Sequence, residues 1–182
     1  MPQQQANERP NMTQTHHSFD PDASQQAAFR RALGCFGTGV TIITTATDNG
    51  PLGFTANSFS SVSLRPPLVQ WSVARDASRH DAFVAAKNFN VHVLGLGQSA
   101  LAHHFAKNGD GFGKFDWQRG PDGVPVLQGC LARFSCSTYG IHPAGDHSLI
   151  LGQVRHVVAQ DDPGAALLFV QGRFGTFTDT CA

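Results

Sequence analysis

Charge is what this sequence has least of. Only 14% of its 182 residues are Asp, Glu, Lys or Arg, against about 25% in an ordinary soluble domain. The 13 basic side chains balance 13 acidic ones, which excludes a protein that holds nucleic acid by bulk charge. Nine histidines make it cationic only in mild acid. Apolar runs such as Leu167–Val170 fall far short of the 18 or more residues of a membrane span. No basic stretch leads into an apolar segment as in a secretory signal, and Cys35, Cys130, Cys136 and Cys181 show no C-x-x-C spacing; the expectation is a reduced, cytoplasmic protein. There is no H-E-x-x-H, no Cys/His ligand framework and no G-x-S-x-G elbow, so a serine nucleophile is not expected and a histidine metal site stays a minor alternative. Sparse charge also predicts that another subunit covers part of the surface.

The chain is long enough to bury about 70% of its unfolded surface around one core. Residues 1–21, rich in Gln, Asn, Thr and His, read as a tail, 22–178 as the domain and 179–182 as a second tail. Ser24 is a plausible N-cap for a short helix carrying Phe29, Leu33 and Phe36 on one face, ending near Gly37 and Gly39. Val40–Thr47 is β-branched almost throughout, and Asp48–Pro51 turn it into a second extended run from Leu52. Further strands are predicted at Leu68–Ala74, Phe89–Leu94, Leu131–Ile141, His147–Ala159 and Ala166–Val170, with short helices at Arg79–Ala86 and Gln98–Lys107. This order suits a mainly β protein, one antiparallel sheet rolled into a barrel with a few short flanking helices, better than βαβ units. Residues 108–124, with five glycines and Phe112, Phe115 and Trp117, read as a loop packed over a ligand site or a subunit boundary.

Gly95-Leu96-Gly97-Gln98-Ser99-Ala100 spells G-x-G-x-x-A after an apolar strand, as in a dinucleotide fingerprint. The helix it opens leads into the glycine-rich loop and not into a second strand ending in an acid, so a plain strand-to-helix turn is preferred. The histidines read as structural or surface residues, and Cys130 and Cys136 as small buried hydrophobes.

The stretch Gly53-Phe54-Thr55-Ala56-Asn57-Ser58-Phe59-Ser60-Ser61-Val62-Ser63-Leu64-Arg65-Pro66-Pro67-Leu68 is different. It crowds hydroxyl and amide side chains ahead of a stiff Pro-Pro. Such a segment can hold the polar edge of a heterocycle and a phosphate without a basic patch; by composition alone a Ser/Thr-rich edge strand and turn is slightly the better reading. The same stretch resembles the G-x-T-A-N-S-F…S-V-S-L-x-P-P-L signature of the flavin reductase-like, split-barrel flavin-binding domains, the reductase components of two-component flavin-dependent monooxygenases. The likeness continues in order through Phe36-Gly37-Thr38-Gly39-Val40-Thr41, Asp116-Trp117, Pro125-Val126-Leu127, Gly145-Asp146-His147 and Gly172-Arg173-Phe174, covering about residues 25–177.

The resemblance implies a split β-barrel homodimer with FMN or FAD in a groove near the dimer interface. It assigns Phe54, Thr55, Ala56, Asn57 and Ser58 to the flavin ring edge and phosphate, and Ser61, Val62, Ser63 and Leu64 to a backbone wall beside the flavin. Arg173 and Phe174 would form the C-terminal edge of the site. His147 would stand beside the nicotinamide with Asp146 orienting it. Two departures stand out. Where relatives carry Ser-x-Ser or Ser-x-Thr for the phosphate, this chain reads Asp76-Ala77-Ser78-Arg79-His80, so Ser78 and Arg79 are the substitutes, Arg79 as a charge-assisted donor. Relatives favour V-N-V-L where this chain has Val91-His92-Val93-Leu94, which makes His92 a candidate for tuning the site. The implied activity is hydride transfer from NADH or NADPH to flavin N5, with reduced flavin released to a separate oxygenase component. Non-catalytic flavin binding, or a heme-binding or structural split barrel, is the alternative.

Overall fold

The computed structural model describes residues 16–179. Most of the tail read over 1–21, and Cys181, lie outside them. The chain divides after Leu33 into two compact units.

In the first unit, helix α1 (Gln26–Leu33) follows a 3-10 turn, Ala23–Gln25. Its cap is Asp22 and not Ser24: the Asp22 carboxylate accepts from Ser24 N (2.8 Å), Ser24 Oγ (2.7 Å) and Gln25 N (3.1 Å). Those bonds hold its pKa below the usual carboxylate range. Phe36 falls outside the helix.

The second unit is built from β1 (Thr38–Gly39), β2 (Thr41–Thr47), β3 (Gly50–Ala56), β4 (Ser60–Leu64), β5 (Pro67–Ala74), β6 (Asn88–Val93), β7 (Trp117–Arg119), β8 (Pro125–Leu127), β9 (Ala132–Ala144), β10 (His147–Ala159), β11 (Leu168–Val170) and β12 (Arg173–Gly175), with helices α2 (His80–Ala85) and α3 (Ser99–Lys107). Seven strands form one antiparallel sheet in the order β3-β2-β6-β9-β10-β5-β4. Its end strands β3 and β4 do not pair, so this barrel-like sheet stays open, and the seam at its edge is where the candidate site lies. β1, β11 and β12 form a small second sheet, and β7-β8 a hairpin within the predicted loop. The bounds of β10 match the prediction, because the Gly145 turn (φ 62°) and the alternate burial of Ser148, Ile150 and Gly152 leave few other registers. The Gly95 motif opens a 3-10 turn, with Gln98 Oε1 accepting from Gly95 N at 3.0 Å; all strand pairs among the described residues are antiparallel, which excludes the dinucleotide-fold reading.

One core gathers Ile43, Trp71, Phe83, Phe89, Val91 and Ile150 inside the sheet, and a second packs α3 through Leu101 and Phe105 against Val40, Ile42 and Leu127. Burial pushes the Cys130 thiol up to about 11 and the Cys136 thiol up to about 12, so both stay protonated and inert near neutrality. α3 lies so close to β3 that a Cβ on Gly53 would overlap the Phe105 ring. Gly53→Ala must therefore push the buried Phe105 ring aside. A loss of about 2 kcal/mol, read as a lower urea midpoint at unchanged slope, is the expected outcome.

Candidate active site

Where β3 ends, the chain crosses to β5 and leaves a groove of about 470 Å³, within the range of small-molecule sites. Its walls are Phe54, Thr55 and Ala56 of β3, the link Asn57-Ser58, Ser72 and Ala74 of β5, Ala144 of β9 and His147 of β10. Ala56, Ser58, Ser72, Ala74 and Ala144 among them carry small side chains, so a flat ring can approach the backbone closely. No Asp, Glu, Lys or Arg lines it.

Edge geometry supplies the directional groups. Gly53 N donates to Gly109 O at 2.8 Å and Gly53 O accepts from Arg79 Nη1 at 2.9 Å, so both point away from β2. Backbone direction alternates along an antiparallel edge strand, and Thr55 N–H and C=O therefore point the same way, toward the groove. The Thr55 hydroxyl is not available, because it donates to Ala102 O at 2.7 Å. Ser58 Oγ is likewise committed: it accepts from Ser72 N (2.9 Å) and donates to Ser72 O (3.2 Å), stitching the link to β5. The exposed Asn57 amide makes no side-chain hydrogen bond among the described residues.

At the far wall, His147 Nδ1 lies 2.7 Å from Asp146 Oδ1. A carboxylate only accepts, so Nδ1 carries the proton and Nε2 is left free as an acceptor. The His147 side chain is 43% exposed. Its turn is tied to the segment after β5 by Arg75 N donating to Asp146 O at 2.9 Å and by His80 Nε2 meeting Ser148 Oγ at 2.9 Å. His80 also meets Asp81 at 2.8 Å, which completes a Ser-His-Asp series; Ser148 is buried and does not line this groove, so the series acts as a tie.

Several residues expected at the site are elsewhere. His92 is wholly buried, with Nδ1 donating to Ile42 O (3.1 Å) and Nε2 accepting from Leu127 N (3.1 Å); it fastens the β7-β8 hairpin and cannot touch a ligand. Arg79 directs its Nη1 and Nη2 groups to Gly53 O, Phe105 O, Asn108 O and Ala106 O at 2.8–3.2 Å and stacks over Phe54 at 4.8 Å, which makes it a clamp on β3 and α3. Ser78 is exposed ahead of α2. Ser61, Val62, Ser63 and Leu64 run along edge strand β4, and none lines the groove. Arg173 is exposed on β12, and Phe174 packs on Phe169 and His103 in the second core. Sequence reading missed Ser72, Ala74 and Ala144. The signal was available for two of them, because in β5 small Ser72 and Ala74 alternate with buried Trp71 and Val73.

The family model described as the flavin reductase like domain matches residues 33–178. The chain belongs to the flavin reductase-like family. It is 48% identical over 162 residues to FMN reductase (NADH) SmoA of Agrobacterium fabrum, covering 89% of this chain and 92% of that protein. It superposes on the Streptomyces globisporus NADH:FAD oxidoreductase SgcE6 in complex with NAD and FAD fragments with a TM-score of 0.80, at 37% identity, over 91% of this chain and all of that one. The reductase component of a flavin-dependent trigonelline monooxygenase from Acinetobacter baylyi is 41% identical over 129 residues, 70% of this chain and 42% of that protein. Among the described residues no helix of this family member is long and apolar enough to cross a membrane, and no cluster of three His, Cys, Asp or Glu could hold a metal ion.

Proposed function

We propose that the protein passes a hydride from NADH to FMN or FAD held in the β3–β5 groove and releases the reduced flavin to a separate oxygenase. The observation that carries this reading is the convergence, on one groove, of the free Thr55 edge at one wall and the Asp146-oriented His147 at the other. The relatives named for a pyridine nucleotide are named for NADH, which favours NADH over NADPH, and the monooxygenase component supports the oxygenase partner.

Bound flavin supplies the hydride acceptor; the rest is positioning. Thr55 N–H and C=O and the Asn57 amide hydrogen-bond the polar edge of the ring. The small side chains of the groove let the ring lie against the backbone and keep water from beneath it. His147 would hold the nicotinamide, and Asp146 fixes the imidazole ring, with Oδ1 2.7 Å from Nδ1. No general acid or base is needed. No Lys or Arg lines the groove, so it offers the ring no charge-assisted bond, which supports an exchangeable flavin.

A homodimer in the cytoplasm is part of the proposal. Its support is the open edge at β4, where Val62 and Leu64 are exposed, together with exposed Tyr139 and Ile141 on β9; bare edges and apolar patches favour burial. A monomer by light scattering at micromolar concentration contradicts it.

The Asn57 assignment has its own test. Asn57→Ala removes one side-chain hydrogen bond, about 1 kcal/mol or more, and flavin titration should read a loss of more than about fivefold in affinity. Unchanged affinity takes Asn57 out of the site.

A further inference from the structure

A second pocket, of about 180 Å³, lies between β6, β9 and β10. It is too small for a flavin or nicotinamide, since organic ligands need about 300 Å³ or more. It is also far from the groove: Arg155 lies eight positions along β10 from His147, roughly 26 Å of strand.

The local sequence builds it. On β9, Phe134 and Cys136 face the first core, so Arg133 and Ser135 face the opposite side by the two-residue alternation. Ser135 pairs with Asn90 on β6 and with His156 on β10. The register shifts between Val154 and His156, and this bulge leaves Arg155 unpaired and re-aims its side chain. Arg155 Nε then donates to Ser137 Oγ at 2.9 Å, on the same face as Arg133. Arg133 and Arg155 both line the pocket, and they outnumber its one acidic residue, Asp122, which accepts from Asn88 Nδ2 at 3.4 Å. Neither arginine is in an ion pair among the described residues. Arg133 Nε is buried without an acceptor, although buried donors are nearly always satisfied.

We infer that this pocket is a binding site for a small oxyanion, a phosphate or a carboxylate, held by Arg133 and Arg155. Planar guanidiniums suit such an anion because they donate paired N–H groups to two oxygens at once, and the Ser135 hydroxyl adds a third donor. The site is independent of the flavin groove and of the activity proposed for it.

Calorimetric titration of the full chain with inorganic phosphate, and separately with acetate, at ionic strength fixed by chloride, tests this. Saturable binding of either anion by the wild type is expected, weakened at least about tenfold in Arg155→Gln and in Arg133→Gln, with NADH oxidation unchanged in both. Phosphate alone or acetate alone supports the site and names its ligand. Because Arg155 is exposed, Arg155→Gln keeps the test decisive should Arg133→Gln fail to fold. A wild type that binds neither anion saturably overturns the inference, as does binding that Arg155→Gln leaves intact.

Discussion

Replacing Arg79 by alanine will destabilise the protein by about 3 kcal/mol and loosen flavin binding as a consequence. The guanidinium bonds three carbonyls at the end of α3, from Phe105, Ala106 and Asn108, and one on β3, from Gly53. The last carbonyls of a helix have no partner within it, and a cation there also meets the negative end of the helix dipole. Alanine leaves those groups to partial hydration and strips the cover from Phe54, a wall of the groove. Arg79→Lys separates this role from the phosphate contact that the sequence suggested. A lysine keeps the charge but cannot reach four carbonyls with a fork, so stability falls nearly as far as in Arg79→Ala. A lysine variant with wild-type stability and weakened flavin binding would return Arg79 to the phosphate.

Acid is expected to cost a comparable amount through His92. Burial holds its pKa down at about 4 from an ordinary 6.5, with the nearby Arg133 charge acting in the same direction and the bond to Ile42 O opposing. In the unfolded chain the imidazole titrates normally, so between these two values the unfolded state binds the extra proton and stability rises with pH. The contribution is complete above about pH 6.5, falls by ~1.4 kcal/mol per pH unit below it, and about 3 kcal/mol is gone by pH 4. Urea denaturation at pH 7 and at pH 5 reads the slope. His92→Asn has no imidazole to protonate and should flatten this part of the profile, whatever its stability at pH 7; an undiminished slope assigns the acid sensitivity to other groups.

These two residues also mark where sequence reading stops. His92 and Arg79 both sit among motifs that resemble the family's site, and nothing local distinguishes a ligand contact from a structural one. The groups that consume them, Leu127 N for His92 and the carbonyls of residues 105–108 for Arg79, lie at least 26 positions along the chain, as the Arg79–Phe105 pair illustrates. The β7-β8 hairpin was hidden for a related reason: three-residue strands among glycines carry too little alternation to see. By contrast β2, β5 and β10 were legible because one or both faces are buried and the turn residues between them are explicit. The groove was legible in part. Phe54 to Ser58 and His147 line one groove, but the use of the Thr55 and Ser58 hydroxyls inside the fold depends on where α3 and β5 pass, which no local pattern states.

Stopped-flow reduction of the flavin-loaded protein by NADH, in the wild type and in His147→Ala, tests whether the two ligands use different sides of the groove. In the proposed arrangement flavin lies against Thr55 and nicotinamide against His147. The variant should therefore bind flavin almost as tightly as the wild type while the NADH concentration for half-maximal reduction rises or the reduction rate falls. Wild-type reduction at every NADH concentration would make His147 structural, and a parallel loss of flavin affinity would put it on the flavin; either result contradicts the arrangement.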